Sequence, residues 1–314
     1  MRIAVTGATG FVGRHLVARL REKGHEVRAL VRDLGRAEDA LGAAAELRVY
    51  DPYDAADVRD ALTDVDGVVN LAGENIFGAR WTTAVKQSLR DSRVVTTRVF
   101  YDALHPVKLE ERPKVFVSAS AVGYYGARPA GTACPEDEHA ATQLNAPDFL
   151  GHLCEEWEVA ARRLELLGLR VVTPRIGVVL GRGGGALQQM EPVARKHVSV
   201  QMGNGRQVVS WVHLDDLVNI LVYALETPDL KGPVNATAPE PVTSRQLAKS
   251  LAKAMGKRAI LPGMPAPVAK LVFGKGRASM LLEGQEVKPY VLQDRGFRFR
   301  FPDIDSALGD LYAK

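Results

Sequence analysis

Arg2-Ile-Ala-Val-Thr6-Gly7-Ala-Thr-Gly10-Phe-Val-Gly13-Arg14 decides the fold. The apolar run up to Thr6 has the length and composition of a buried strand. Phe11, Val12, Leu16, Val17 and Leu20 then recur at helical spacing until Gly24 stops the helix. Between strand and helix stand three glycines with separate tasks. Gly7 permits the tight turn, Gly10 lets backbone N–H groups approach a pyrophosphate, and Gly13 lets helix and strand pack closely. A phosphate there would meet the positive end of the helix dipole.

The rest of the chain extends this βα unit. Glu26-Val-Arg-Ala-Leu-Val31, Glu46-Leu-Arg-Val-Tyr-Asp51, Gly67-Val-Val-Asn-Leu-Ala-Gly73, Lys114-Val-Phe-Val-Ser-Ala-Ser120 and Arg170-Val-Val-Thr-Pro-Arg175 read as strands. Helical segments at 82–104 and 147–167 lie among them. The alternation predicts an α/β fold, a Rossmann-type doubly wound parallel sheet. A change of composition after Gly177 suggests a cofactor-binding domain over 1–176, with a return segment near 211–226. Residues 177–314 are then a smaller α/β domain that mainly covers the substrate. Glycine loops at 181–185 and 203–206, short strands at 208–212 and 233–238, and helices at 244–255, 266–273 and from 304 are expected there. His213-Leu-Asp215-Asp216 should start the helix that reaches Glu226.

Arg32 ends the second strand, where an acidic residue would bind a ribose 2′-hydroxyl. Together with Arg14 it favours a 2′-phosphate, hence NADP(H). A charge-assisted hydrogen bond of this kind is worth about 1.5–3 kcal/mol. Asp33 stands one position too late to be the usual ribose acid. Asp51 could accept from an adenine amino group or serve as a turn residue before Pro52. Gly73 begins a second glycine turn beside the cofactor, and Ser118 and Ser120 end a strand on the side where a nicotinamide would lie. Tyr124 and Tyr125 follow in an aromatic loop. Lys86, Arg90 and Arg93 sit on the 82–104 helical segment.

The chain's 314 residues can bury a large core, and 46% hydrophobic with 25% charged residues is an ordinary globular balance. A net charge of +4 suits an anionic ligand and falls short of a nucleic-acid footprint. Cys134 and Cys154 have no metal-ligand spacing, so no metal is expected and a reduced compartment is. Met1 abuts the first strand and no apolar run could span a bilayer. A cytoplasmic location without a membrane partner is the expectation, although an already removed transit peptide would leave no trace.

Asn70-Leu-Ala-Gly-Glu-Asn75, Ser118-Ala-Ser-Ala-Val-Gly-Tyr-Tyr-Gly126, Gly203-Asn-Gly-Arg-Gln207 with Ser210-Trp-Val-His213, Pro233-Val-Asn-Ala-Thr-Ala-Pro-Glu-Pro-Val-Thr243 and Gly296-Phe-Arg-Phe run along the chain. With them it resembles the atypical extended short-chain dehydrogenase/reductases of the NAD-dependent epimerase/dehydratase superfamily, specifically the epimerase-family, cell-division-inhibitor-like branch. The resemblance implies an NADP(H) site at Thr6, Gly7, Gly10, Phe11, Val12, Arg32, Leu71, Ala72, Ser118 and Arg175, and Ser120 in the place of the catalytic serine. It implies an oxidoreductase or epimerase acting on a carbonyl or alcohol, with nucleotide-sugar-like anions as the suggested substrate class. Arg80, Arg93, Arg182 and Arg206 are candidates to face such an anion.

One departure is decisive for mechanism. Ordinary members pair a tyrosine with a lysine four residues later, which lowers the phenol pKa for proton transfer. None of the eight tyrosines here has that lysine. Setting Glu158 on the family's acidic position puts Leu150 and Cys154 where tyrosine and lysine belong. Tyr124, Tyr125 and His213 are the remaining candidate acids. The alternative is a catalytically silent NADP(H)-binding redox sensor or structural protein, monomeric or homodimeric in either case.

Overall fold

The computed structural model describes residues 1–129, 131–132, 135–139, 148–258 and 262–313; Cys134 and Pro147 lie outside them. Strands β1 (Arg2–Thr6), β2 (Glu26–Val31), β3 (Glu46–Val49), β4 (Gly67–Asn70) and β5 (Val115–Ser118) alternate with helices α1 (Phe11–Glu22), α2 (Leu34–Leu41), α3 (Ala55–Ala61), α4 (Thr83–Arg90) and α5 (Thr96–Leu104). The sheet runs β3-β2-β1-β4-β5, continued by strands Arg170–Ile176 and Gly232–Ala236. Neighbours from β3 through Arg170–Ile176 pair in parallel. The doubly wound α/β architecture is therefore present. Strand order reverses between β1 and β4, and ligands of such sheets bind beyond the strands' carboxyl ends at that point.

The chain divides into two compact units. The first comprises Met1–Ser120, Leu153–Pro174 and Val218–Pro233. Its core joins Ala4, Leu30, Val68 and Phe116 from the strands to Val58, Phe100, Leu104 and Leu164. Phe100 and Phe116 meet edge to face at 5.0 Å. The unit's Val218–Pro233 stretch is pinned electrostatically, since Glu226 accepts from Lys23 at 2.7 Å and lies 3.0 Å from His25 Nε2. The second unit comprises Ala121–His152, Arg175–Leu217 and Val234–Lys314, with Leu180, Trp211, Leu251, Phe301 and Leu308 in its core.

Three local readings change. The expected helix over 82–104 is broken by a π turn, Asp91–Val95. Thr96 Oγ1 donates to the Ser92 carbonyl at 3.0 Å and Arg93 Nη1 to that of Leu89 at 3.2 Å, so side chains occupy carbonyls there. The strand expected to reach Asp51 ends at Val49, and the one expected to reach Gly73 ends at Asn70. A helix at Gly185–Arg195, starting inside the expected glycine loop, had no sequence expectation.

Candidate active site

The glycine turn does in the fold what its spacing demands. Gly7 has φ +65°, and a Cβ on it would lie 2.7 Å from the Leu71 carbonyl oxygen. A Cβ on Gly13 would collide with the Gly7 carbonyl and stand 2.8 Å from Ala8 Cα. Gly10 closes the turn by donating to Gly7 O at 2.9 Å. It is the N-cap of α1, makes no side-chain cap, and no acid sits in the first turn. The helix thus presents free N–H groups and an uncompensated positive end, the arrangement that receives a phosphate. These residues fit a dinucleotide. Phe11 and Val12 are half-buried at the same helix start.

Arg14 and Arg32 are exposed, and neither has a carboxylate partner among the described residues. Asp33 is spent elsewhere: it is the N-cap of α2 and accepts from Arg36 N at 3.1 Å. Burial pushes the Tyr50 phenol well above its ordinary range, and the nearby Arg32 charge opposes that shift. Asp51 is exposed and accepts from Tyr53 N at 2.9 Å, which makes it a turn residue with one oxygen committed.

The carboxyl ends of β1, β4 and β5 carry a polar row. Register sets Thr6 opposite Asn70 and Asn70 opposite Ser118. Thr6 Oγ1 donates to Asn70 Oδ1 at 2.7 Å, while Asn70 Nδ2 donates to Thr97 Oγ1 at 3.0 Å and reaches Ser118 Oγ at 3.5 Å. Trp157 Nε1 also donates to Thr97. Ala72 N donates to Thr6 Oγ1 at 3.2 Å, so the row holds the Leu71-Ala72 backbone against the glycine turn. Thr6 and Ser118 are fully buried. The Ser118 hydroxyl, expected toward a nicotinamide, meets the Asn70 amide in this row. Asn70 and Thr97 escaped sequence reasoning; for Asn70 the available signal was the single polar residue closing an apolar strand, whereas Thr97 lies on α5 and carried no such signal.

Ser120, also in the first unit, is buried and donates to Glu158 Oε1 at 2.7 Å. Its proton is committed to that carboxylate in this arrangement. Glu158 lies on the helix Phe149–Arg162, which carries half-buried Leu150 and buried Cys154. Arg93 stands beside Cys154, its guanidinium 5.4 Å from the Trp157 ring centroid, and donates to the Glu74 carbonyl at 2.8 Å. A Cβ on Gly73 would come within 2.9 Å of its Cζ. Burial lowers the Arg93 pKa. Arg90 pairs with Glu156 at 2.6 Å, Lys86 is half-buried and Arg80 is exposed.

Within the second unit, Arg175 is buried, stacks on Tyr124 with Cζ 3.4 Å from the ring centroid, and donates to Tyr125 Oη at 2.8 Å. Tyr125 Oη in turn donates to Asn235 Oδ1 at 2.7 Å. Burial pushes the Tyr125 phenol up to about 12, against the opposing Arg175 charge. Tyr125 is therefore a poor proton donor and a structural hub. His213 is tied into the fold as well. It is 2% exposed, stacks at 3.9 Å on Phe301, accepts from Asp215 N through Nδ1 at 3.1 Å and lies 3.6 Å from Asp310. Burial lowers its pKa, so it starts the following helix as a neutral ring. Arg182 caps the final helix by donating to the Leu311 and Ala313 carbonyls, and Arg206 is exposed. Tyr124, half-buried, is the candidate acid with no such commitment among the described residues.

A parallel sheet with this glycine turn at its switch point defines a dinucleotide-binding α/β protein. The chain belongs to the NAD dependent epimerase/dehydratase family, whose model matches residues 3–236; a domain of unknown function, DUF1731, matches 264–311. The expected identity as an atypical extended short-chain dehydrogenase/reductase holds at that level. Relatives include the chloroplastic epimerase family protein SDR39U1 homolog of Arabidopsis thaliana, 37% identical over 98% of this chain and 86% of that one. Human epimerase family protein SDR39U1 is 36% identical over the full length of both. Among solved structures, human SDR39U1 (isoform2) with NADPH matches with TM-score 0.85 and 34% identity over 99% of each chain. A nucleoside-diphosphate sugar epimerase from Corynebacterium glutamicum matches with TM-score 0.77 and 28% identity, over 99% of this chain and 58% of that one.

Proposed function

We propose that the protein binds NADP(H) and transfers hydride between it and a carbonyl or alcohol substrate, with a nucleotide-sugar-like anion as the substrate class. The observation that carries the cofactor reading is the uncapped start of α1 over the glycine turn, together with two arginines that have no carboxylate partner among the described residues and an Asp33 already used as a cap. In this reading Gly10 leaves room for the pyrophosphate to approach, and the N–H groups at Phe11, Val12 and Gly13 receive it. Arg14 and Arg32 take the 2′-phosphate and Asp51 offers its free oxygen to the adenine. Leu71, Ala72 and Gly73 line the site with backbone braced by Thr6, and Ser118 and Arg175 complete the proposed cofactor set. The human relative solved with NADPH supports the same cofactor. Residues 1–176 with 211–226 carry this task, and 177–314 select the substrate.

When bound, the cofactor supplies or accepts the hydride. Ser120 holds the substrate oxygen once its hydroxyl turns from Glu158 Oε1, to which it donates in the arrangement seen, and Tyr124 exchanges a proton with substrate. Simple reduction fits better than epimerisation, because oxidation followed by re-reduction needs a competent acid–base twice. The silent-binder reading keeps one specific support: Leu150 and Cys154 replace the usual pair, while Tyr125 and His213 are tied into the fold. Single-turnover loss of nicotinamide absorbance from the NADPH-loaded protein separates the two, over a panel of aldehydes, quinones, keto acids and 4-keto nucleotide sugars. Oxidation that disappears in Ser120→Ala supports the reductase. Silence across the panel with confirmed NADPH binding favours the silent binder.

A further inference from the structure

The chain-wide excess of four positive charges hides a local asymmetry in the second unit. Residues 241–282 hold Arg245, Lys249, Lys253, Lys257, Arg258, Lys270, Lys275 and Arg277 and no aspartate or glutamate. The remaining sequence carries 33 basic against 37 acidic residues, so this one tract accounts for the positive sign of the whole chain. On the helix Ser244–Ala254, Arg245, Lys249 and Lys253 recur every fourth residue on the exposed side, opposite buried Leu247, Ala248, Leu251 and Ala252. Like charges at this spacing repel, so the helix itself gains nothing from the stripe. Lys253 reaches Asp305 at 3.5 Å, whereas Lys249, Lys257 and Arg258 have no carboxylate at ion-pair distance among the described residues.

The next helix of the tract, Ala266–Phe273, is inverted in its exposure. Ala269 is its one buried residue, while Val268, Leu271 and Val272 are 44%, 81% and 58% exposed. Their i, i+3, i+4 spacing makes one apolar face turned to solvent, with exposed Lys270 between them. A globular helix ordinarily buries such a face.

We propose that this tract docks the protein onto an anionic lipid surface, with Val268, Leu271 and Val272 entering the headgroup boundary and the lysines and arginines meeting lipid phosphates. Charge complementarity selects an anionic partner for an acid-free tract of eight basic residues. The outward aliphatic face selects lipid over nucleic acid, since a phosphate backbone offers leucine and valine nothing to enter. The expectation of no membrane partner rested on spanning segments and on average charge. No helix among the described residues is long and apolar enough to cross a membrane, and surface docking needs none.

Cosedimentation of the full chain with phosphatidylcholine vesicles, with and without phosphatidylglycerol, tests this independently of the cofactor reading. Binding is expected only with the anionic lipid. Each basic residue near such a surface is worth about fivefold in partitioning, so Lys257→Ala with Arg258→Ala should weaken binding about 25-fold. Leu271→Ser with Val272→Ser should weaken it at least about tenfold. All four positions are exposed, and melting temperatures of the variants check the fold. Failure of the wild type to sediment with phosphatidylglycerol, or equal binding to phosphatidylcholine alone, overturns the proposal. Binding that ignores either pair overturns it too: loss with the cations alone would mark a polyanion site, and loss with the aliphatics alone a protein-docking patch.

Discussion

Gly10 and Gly13 stand three residues apart in one turn, yet alanine should affect them through different properties. At Gly13 the new methyl would overlap the Gly7 carbonyl and press on Ala8 Cα and C at 2.8 and 2.9 Å. All three are backbone atoms and cannot rotate away, so α1 must lift from β1. Overpacking of this kind costs about 1–3 kcal/mol, roughly 2–6 °C in melting temperature for a chain of this size. At Gly10 the backbone is extended at φ −74°, which alanine adopts freely, and the one close neighbour is Gly7 O at 3.1 Å. The small repulsion there is offset by about 0.4–1 kcal/mol from a stiffer unfolded chain. Gly10→Ala should therefore melt within about 2 °C of the wild type. Its methyl nevertheless stands at the exposed mouth of the turn, where a pyrophosphate must approach the helix N-terminus. Calorimetric titration with NADPH should show at least about a tenfold loss of affinity in Gly10→Ala. Wild-type NADPH affinity in Gly10→Ala, or wild-type stability in Gly13→Ala, would refute the assignment of these glycines.

Ser120→Ala removes the hydroxyl that donates to buried Glu158 and should cost about 1–3 kcal/mol by chemical denaturation, apart from any effect on turnover. Arg32→Asp should narrow the preference for NADPH over NADH in a thermal-shift comparison by placing a carboxylate near the 2′-phosphate. For His213 the folded pKa lies below the unfolded value of about 6.5, so the unfolded chain binds the proton first as pH falls. Its contribution to stability is intact above pH 6.5 and is lost on acidification from there toward the lower folded value. His213→Asn, whose Oδ1 can keep the Asp215 N–H bond, should flatten the melting-temperature profile below about pH 6.5 relative to the wild type. An unchanged slope would show that folding leaves the ring's proton affinity unaltered.

The glycine turn was legible because its cause is local: strand, turn and helix each follow from a few adjacent residues. The succession of strands and helices along the chain was legible for the same reason. The π turn at Asp91–Val95 was hidden, since helical periodicity continues through it and only Arg93 and Thr96 bonding to carbonyls marks it. The roles of Tyr125 and His213 were beyond sequence reasoning for a different reason. Asn235, Arg175, Phe301 and Asp310 decide them, and they lie 50 to 110 residues away. The Ser118 contact with Asn70 was hidden because strand position alone does not say whether a hydroxyl faces a ligand or a neighbouring asparagine. Asp33 could have been read better: an aspartate three residues before an N–H it can accept is an ordinary helix start. The basic tract was on the page throughout, but averaging over 314 residues removed it.

The central claim, that the turn and its two arginines form an NADP(H) site, is tested most directly by titrating the purified protein with NADPH and NADH side by side in a calorimeter. NADPH should bind at least about tenfold more tightly, the worth of one charge-assisted bond to the 2′-phosphate. Equal affinity for the two would contradict the roles given to Arg14 and Arg32, and binding of neither would contradict the site itself.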